Sequence, residues 1–179
     1  MVKRPFYNLA EPRIYFRRPE LTDLDAFAEA MKASTGLHQP WVSAPINELA
    51  FRRYIKRVLG DLDDGFLILR LDDDAIVGVV NLNVIVYAAL CSAYLGYYAA
   101  AEHADQGYMK EGMMHVINHA FSKMGLHRLE ANIQPDNTAS LALVQGLGFQ
   151  REGFSPRYLK IGKQWRDHER WALLADSNL

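Results

Sequence analysis

The stretch from Ser92 to Gln134 limits the topology of this 179-residue chain more than any other. SAYLGYYAA (Ser92 to Ala100) reads as a strand, Tyr108 to Met124 carries apolar residues at helical spacing, and RLEANIQ (Arg128 to Gln134) reads as a second strand ended by Pro135. Strands joined through a helix of that length run parallel, with a right-handed crossover. In such units a ligand sits where the carboxyl ends of the strands meet the helix N-terminus. The connecting loop EHADQGYMKEG, Glu102 to Gly112, is therefore the first place to look for chemistry.

The rest of the chain organises around this unit. RIYFRRP (Arg13 to Pro19) alternates like a short strand, and residues 1–12, with Pro5 and Pro12, read as a loose N-terminal arm. Thr22 and Asp25 resemble a capping box opening a helix through Ala33, with Leu24, Phe27, Ala28 and Met31 on one face. The loop GLHQPWVSAP follows, and Asn47 reads as the N-cap of a helix that aligns Phe51, Tyr54, Ile55, Val58 and Leu62. GFLILRL and AIVGVVNLNVIVYAAL, joined by the Asp72 to Asp74 turn, form a hairpin leading into the strand at Ser92. Beyond Pro135, Asn137 to Leu147 is a helix closed by Gly148, and strands near Gln150 to Ile161 and Gln164 to Ala175 turn at Gly162-Lys163. The order β α α β β β α β α β β predicts one α/β (α+β) domain over residues 1–179, with a mostly antiparallel mixed sheet and one parallel pair.

Composition narrows the function. Lys+Arg number 20 against 21 Asp+Glu, a formal charge of −1, so no global field draws the chain to nucleic acid or an anionic membrane. The apolar runs are too short to span a bilayer, and no apolar segment follows the basic N-terminal residues as in a secretory signal. A single cysteine, Cys91, excludes a disulfide framework and a multi-cysteine zinc site, and no basic neighbour activates it as a nucleophile. His115 and His119 have the i, i+4 spacing of a metal pair, but nothing nearby completes a site, and the expectation is a solvated helix face with no metal. These features predict a cytoplasmic protein.

Gly107, just before the long helix, allows a tight turn that leaves successive N–H groups at the positive helix end, an arrangement able to hold a diphosphate. Spacing alone leaves open whether it is only a turn. The wider sequence decides more. YLGYYAAAEHADQGYMKEGM, then LHRLEANIQPDNTASLALVQGLGFQREG, then YLKIGKQWRDHERWAL resemble the GNAT superfamily of acetyl-CoA-dependent N-acetyltransferases, and within it the RimJ-like, ribosomal-protein-alanine branch.

That resemblance implies a GNAT fold whose parallel strands splay to admit a pantetheine arm. It assigns the cofactor acetyl-CoA to Tyr97, Tyr98 and Ala99 on the strand, to Asp105, Gln106, Gly107, Tyr108, Met109 and Lys110 around the pyrophosphate, and to Asn137. The loop keeps only Gly107 of the family's Gln/Arg-x-x-Gly-x-Gly/Ala pattern: Ala104 and Met109 replace the usual residues. Backbone N–H groups and the helix dipole, with Lys110, must then carry the phosphates. Ser140 resembles the serine that protonates the departing thiolate, while Val144 stands where many relatives have tyrosine. Glu130 is the only carboxylate on its strand, a candidate base or an ion-pair partner of Arg128 or His127. Asn132 shares its face and would orient a water or the acceptor amide. Trp41 and Tyr158 would line the acceptor. The resemblance implies direct attack by a protein or peptide α-amine, with a ribosomal protein among the candidate partners, no membrane or nucleic-acid partner, and a monomer or homodimer. The alternatives are acetylation of a small amine or antibiotic, and a CoA-binding sensor without activity.

Overall fold

A computed structural model describes Tyr7 and residues 11–175. Seven strands form one sheet: β1 (Ile14–Arg17), β2 (Asp64–Arg70), β3 (Ile76–Val86), β4 (Ser92–Ala99), β5 (Arg128–Ile133), β6 (Gln150–Ile161) and β7 (Gln164–Leu174), in the order β1-β2-β3-β4-β5-β7-β6. All neighbours are antiparallel except β4 and β5. That parallel pair holds only at Ser92↔Arg128, Ala93↔Leu129 and Tyr94↔Glu130. Beyond it β4 stays with β3 and β5 stays with β7, so a wedge opens inside the sheet.

Helices cover both faces. α4 (Tyr108–Ser122) and α5 (Thr138–Gly146) lie on one, with Met113, Val116, Ile117 and Ala120 of α4 fully buried. Gly112 brings α4 close to the sheet: a Cβ there would come within 2.7 Å of Ile68. On the other face, α1 (Leu24–Ala33) and α3 (Glu48–Val58) pack through Phe27 and Phe51, whose rings lie 4.6 Å apart. β2 is buried on both sides, which explains its unbroken apolar run GFLIL.

The elements match the sequence expectation with local differences. Asn47 caps α3, accepting from the Ala50 N–H at 3.0 Å. α3 ends at Val58, however, so Leu62 leaves the apolar face and is 64% exposed. The capping box is Glu20 with Asp23, closing a 3-10 turn over Leu21–Asp23, rather than Thr22 with Asp25. The loop before α3 holds a short helix, α2 (Thr35–His38). Most of the N-terminal arm, residues 1–6 and 8–10, lies outside the described residues. Tyr7 is not loose: its N–H donates to Asn118 Oδ1 at 2.7 Å, and its hydroxyl donates to the Leu147 carbonyl.

His115 and His119 are half-buried against Phe16, at ring distances of 6.1 and 5.7 Å, rather than on a solvated face. Burial lowers their pKa values, and that of His168 on β7, below the ordinary imidazole range. The unfolded chain therefore takes up protons first as pH falls, and the stability these neutral rings contribute is lost below about pH 6.5. The unfolding midpoint is expected to drop steadily between pH 7.5 and 5.5 in circular-dichroism melts. A flat midpoint over that range would contradict the burial argument.

Candidate functional site

The wedge between β4 and β5 opens into a cleft of about 270 Å³, bounded by Tyr97, Tyr98 and Ala99 of β4 and by the starts of α4 and α5. Gly107 is the N-cap of α4, with φ 83°, and no side chain caps the helix. The N–H groups of its first turn thus remain available to a ligand. Asp105 also takes a left-handed conformation, with φ 59°. Lys110 lines the cleft, its Nζ 3.7 Å from where a Cβ on Gly146 would sit, so its ammonium lies between α4 and α5.

α5 presents the other wall. Asn137 caps it, its Oδ1 accepting from the Ser140 N–H at 3.2 Å, which leaves the amide nitrogen free to donate to a ligand. Ser140 faces the cleft, and the Tyr97 hydroxyl donates to its carbonyl at 3.3 Å. Burial pushes the Tyr97 phenol above its ordinary range. Val144 is fully buried in the core beneath α5, so a tyrosine there would need the helix repacked.

Two cations not expected from the loop reach α4 from elsewhere. Arg13 lies 4.5 Å over the Tyr108 ring, donates to the Gln106 carbonyl at 3.3 Å and clamps Glu111 at 2.9 Å. Arg70 lies 5.9 Å over the same ring. Arg13 Nη2 stands 3.4 Å from where a Cβ on Gly107 would sit, an ordinary contact, so it is the left-handed backbone that calls for glycine there.

The opposite face of the wedge carries a different set of side chains. Leu129, Ala131 and Ile133 enter the α4–α5 core, so alternation turns Arg128, Glu130 and Asn132 the other way. Arg128 donates to Glu130 at 2.8 Å and also pairs with Glu152, which makes Glu130 a member of an ion-pair network. The Asn132 Oδ1 is buried without a hydrogen-bond partner. A second cleft, about 430 Å³, lies between β4, β3 and α3. Tyr97 and Tyr98 line both clefts. Trp41 and Tyr158 do not meet in one wall. Trp41 borders the first cleft with His38, and Tyr158 on β6 stands against His168 at a ring distance of 6.0 Å. His38 Nε2 lies 2.7 Å from the Ala99 carbonyl, fixing the end of β4.

Residues 13–150 match the Acetyltransferase (GNAT) domain family. The chain belongs to that family. It is 35% identical to the Probable N-acetyltransferase YjcK of Bacillus subtilis over 121 residues, 68% of this chain and 67% of that one. It is 36% identical to the Escherichia coli [Ribosomal protein uS5]-alanine N-acetyltransferase over 102 residues, 57% of this chain and 53% of the relative. The match thus spans about half the length of that enzyme. The solved structure of Mycobacterium smegmatis RimJ in complex with CoA-disulfide superposes with a TM-score of 0.85 at 25% identity, covering 92% of this chain and 83% of the other.

As a GNAT acetyltransferase the protein uses acetyl-CoA, and the first cleft suits that cofactor. An uncapped helix N-terminus and Lys110 face a polyanion, while Leu143 and Met109 offer apolar contact to an extended arm. Among the described residues, no group of three His, Cys, Asp or Glu is placed to hold a metal ion. No helix of the described residues is long and apolar enough to cross a membrane.

Proposed function

We propose that the protein acetylates the N-terminal α-amine of a protein or peptide in the cytoplasm, a ribosomal protein being the substrate class its uS5-alanine relative suggests. The observation that carries this reading is the junction at Val42, Tyr97 and Tyr98, the residues that two clefts share at β4. One suits the cofactor and the other an amine approaching the same strand. Bound acetyl-CoA supplies the thioester carbonyl and the thiolate leaving group.

The residues divide the remaining work. The backbone from Asp105 to Lys110, at the start of α4, holds the pyrophosphate, and the Asn137 amide holds the arm. A β4 N–H near Tyr97–Ala99, left without a strand partner by the wedge, donates to the developing oxyanion. Ser140 supplies the proton to the thiolate. Asn132, whose buried oxygen has no partner, accepts from the amine or its water. Glu130, tied to Arg128, orients that strand and sets the local charge. A strong base is not needed, because an α-amine has a pKa of roughly 7.7–8.0 and is partly neutral at pH 7, unlike lysine at roughly 10.4.

Saturating acetyl-CoA, at about 100 times its Kd, is expected to stabilise the fold by about 2.7 kcal/mol and raise the Tm by about 5–10 °C, with NAD giving no shift. Thiol release is then measured on an alanine-terminated peptide with a free or a blocked α-amine. Turnover of the free form alone supports the reading. Turnover of small amines with neither peptide form accepted would replace it with small-amine acetylation, and binding without any turnover would leave a CoA sensor.

A further inference from the structure

The acceptor-side cleft carries its own chemistry. Its lining includes two cations one turn apart on α3, Arg53 and Arg57, and no Asp or Glu. Arg57 is partly neutralised from behind: its Nη1 donates to Asp63 and to Asn83 Oδ1, both at 2.7 Å. Arg53 is exposed and has no ion-pair partner among the described residues.

The cleft floor is polar and built. Tyr54, 5% exposed, donates from its hydroxyl to Asn81 Oδ1 at 2.9 Å, and Gly65 leaves room for that hydroxyl. Asn81 is itself 5% exposed. Tyr98, 8% exposed, lines the same cleft with its hydroxyl buried beside the Asn81 amide. The amide oxygens of Asn81 and Asn83 are thus both in use. The donors that line the cleft include the Asn81 amide nitrogen, the Tyr98 hydroxyl and the guanidinium of Arg53. A donor-rich wall with an unpaired guanidinium and no carboxylate rejects a second ammonium group and matches carboxylate oxygens.

We infer that this cleft selects acceptors carrying a carboxylate close to the reacting amine, namely peptide N-termini with an acidic side chain at the second or third residue. Arg53 sets the preference, and Tyr98 with Asn81 holds the acceptor's polar atoms at the floor. The inference rests on the α-amine reading above and adds to it the charge of the sequence that follows the amine. Polyamines and lysine-rich N-termini are disfavoured by the same wall.

The test uses three peptides with an N-terminal alanine followed by two Glu, two Gln or two Lys, with acetyl-CoA saturating and thiol release followed at low salt. The expected kcat/KM order is Glu, then Gln, then Lys, with Glu over Lys on the order of tenfold for a solvent-facing charge pair. The gap narrows in 0.5 M NaCl as screening sets in. Arg53→Glu is expected to reverse the order and to improve turnover of the Lys peptide above that of the parent protein. That gain is one a misfolded variant cannot show. Equal kcat/KM for the three peptides, a preference for Lys, or an unchanged order in Arg53→Glu would each overturn the inference while leaving the α-amine reading intact. No turnover of any peptide, with the acetyl-CoA melting shift still present, would remove the α-amine reading and this inference together.

Discussion

Replacing Ser140 with alanine is expected to lower kcat about a hundredfold while the acetyl-CoA Kd stays within twofold. Ser140 sits in the first turn of α5, its N–H already satisfied by Asn137, and its side chain borders the cleft that Tyr97 and Lys110 also line. Proton donation by a placed side chain accounts for about 10² or more in rate, about 2.7 kcal/mol of barrier at a hundredfold. Few groups can replace it. Val144 is sealed in the core, and the Tyr97 hydroxyl is engaged with the Ser140 carbonyl. Ser140→Thr keeps a hydroxyl at the same place and should retain most of the rate. Single-turnover measurement with saturating cofactor separates chemistry from binding. An unchanged kcat in Ser140→Ala would reduce the serine to a small packing residue and shift the proton to Tyr97 or to solvent.

Replacing Phe51 with alanine is expected to give the largest loss of stability, about 3–5 kcal/mol, or a drop in Tm on the order of 10 °C. Phe51 is fully buried, 4.6 Å from Phe27 and 6.2 Å from Tyr54 by ring centroid. The cavity would lie beneath the α3 turn that carries Arg53, Tyr54 and Arg57 to the acceptor side. The cofactor cleft takes most of its walls from α4, α5, β4 and the loop before α4, and none of its lining residues belongs to α3. The variant should therefore keep its acetyl-CoA melting shift while kcat/KM for the peptide falls. Thermal melts with and without cofactor, beside a peptide assay, read both quantities. A loss below about 1 kcal/mol would mean that α3 relaxes into the space. Equal loss of cofactor binding would mean that the two faces are not independent.

The fold was legible where one local rule dominated. α4 followed from its 3.6-residue period, and Gly107 from the need for a left-handed residue before it. The parallel pair followed from the length of the crossover, and α3 from Asn47 and the apolar residues behind it. Legibility failed where distant contacts decide. Four residues of α2 carry too little periodicity to be seen. Their place is held by Ser34, which accepts from the Ala101 N–H at 2.8 Å, and by His38 at the Ala99 carbonyl. The capping box slipped because a 3-10 turn shortened the approach to α1.

The candidate site divides the same way. The loop from Asp105 to Lys110, with Ser140 and Asn137, lies in contiguous segments that a motif can mark. Arg13, just before β1, and Arg70, at the end of β2, reach that loop from far back in the chain, with no local pattern to announce them. The acceptor cleft joins Arg53 on α3 to Asn81 on β3 and Tyr98 on β4, a meeting that only the folded sheet creates. Alternation put Glu130 on one face with Asn132 and left its ion-pair partner open between Arg128 and His127, and the structure gives a pair with Arg128.

The three-rung contact between β4 and β5 also bears on how the chain avoids other chains. Where the rungs stop, each strand presents an unpaired row of N–H and C=O groups in the middle of a sheet, the kind of row that invites a foreign strand to add on. The chain blunts both rows without closing the opening. Pro135 follows two residues after β5 ends at Ile133, and a proline cannot donate to a new ladder, so the free row on β5 is short. On the β4 side, His38 occupies the Ala99 carbonyl, and Leu37 and Trp41 overhang the strand end. A slot open to an extended cofactor arm thus leaves a foreign strand only a short free row to pair with on either side.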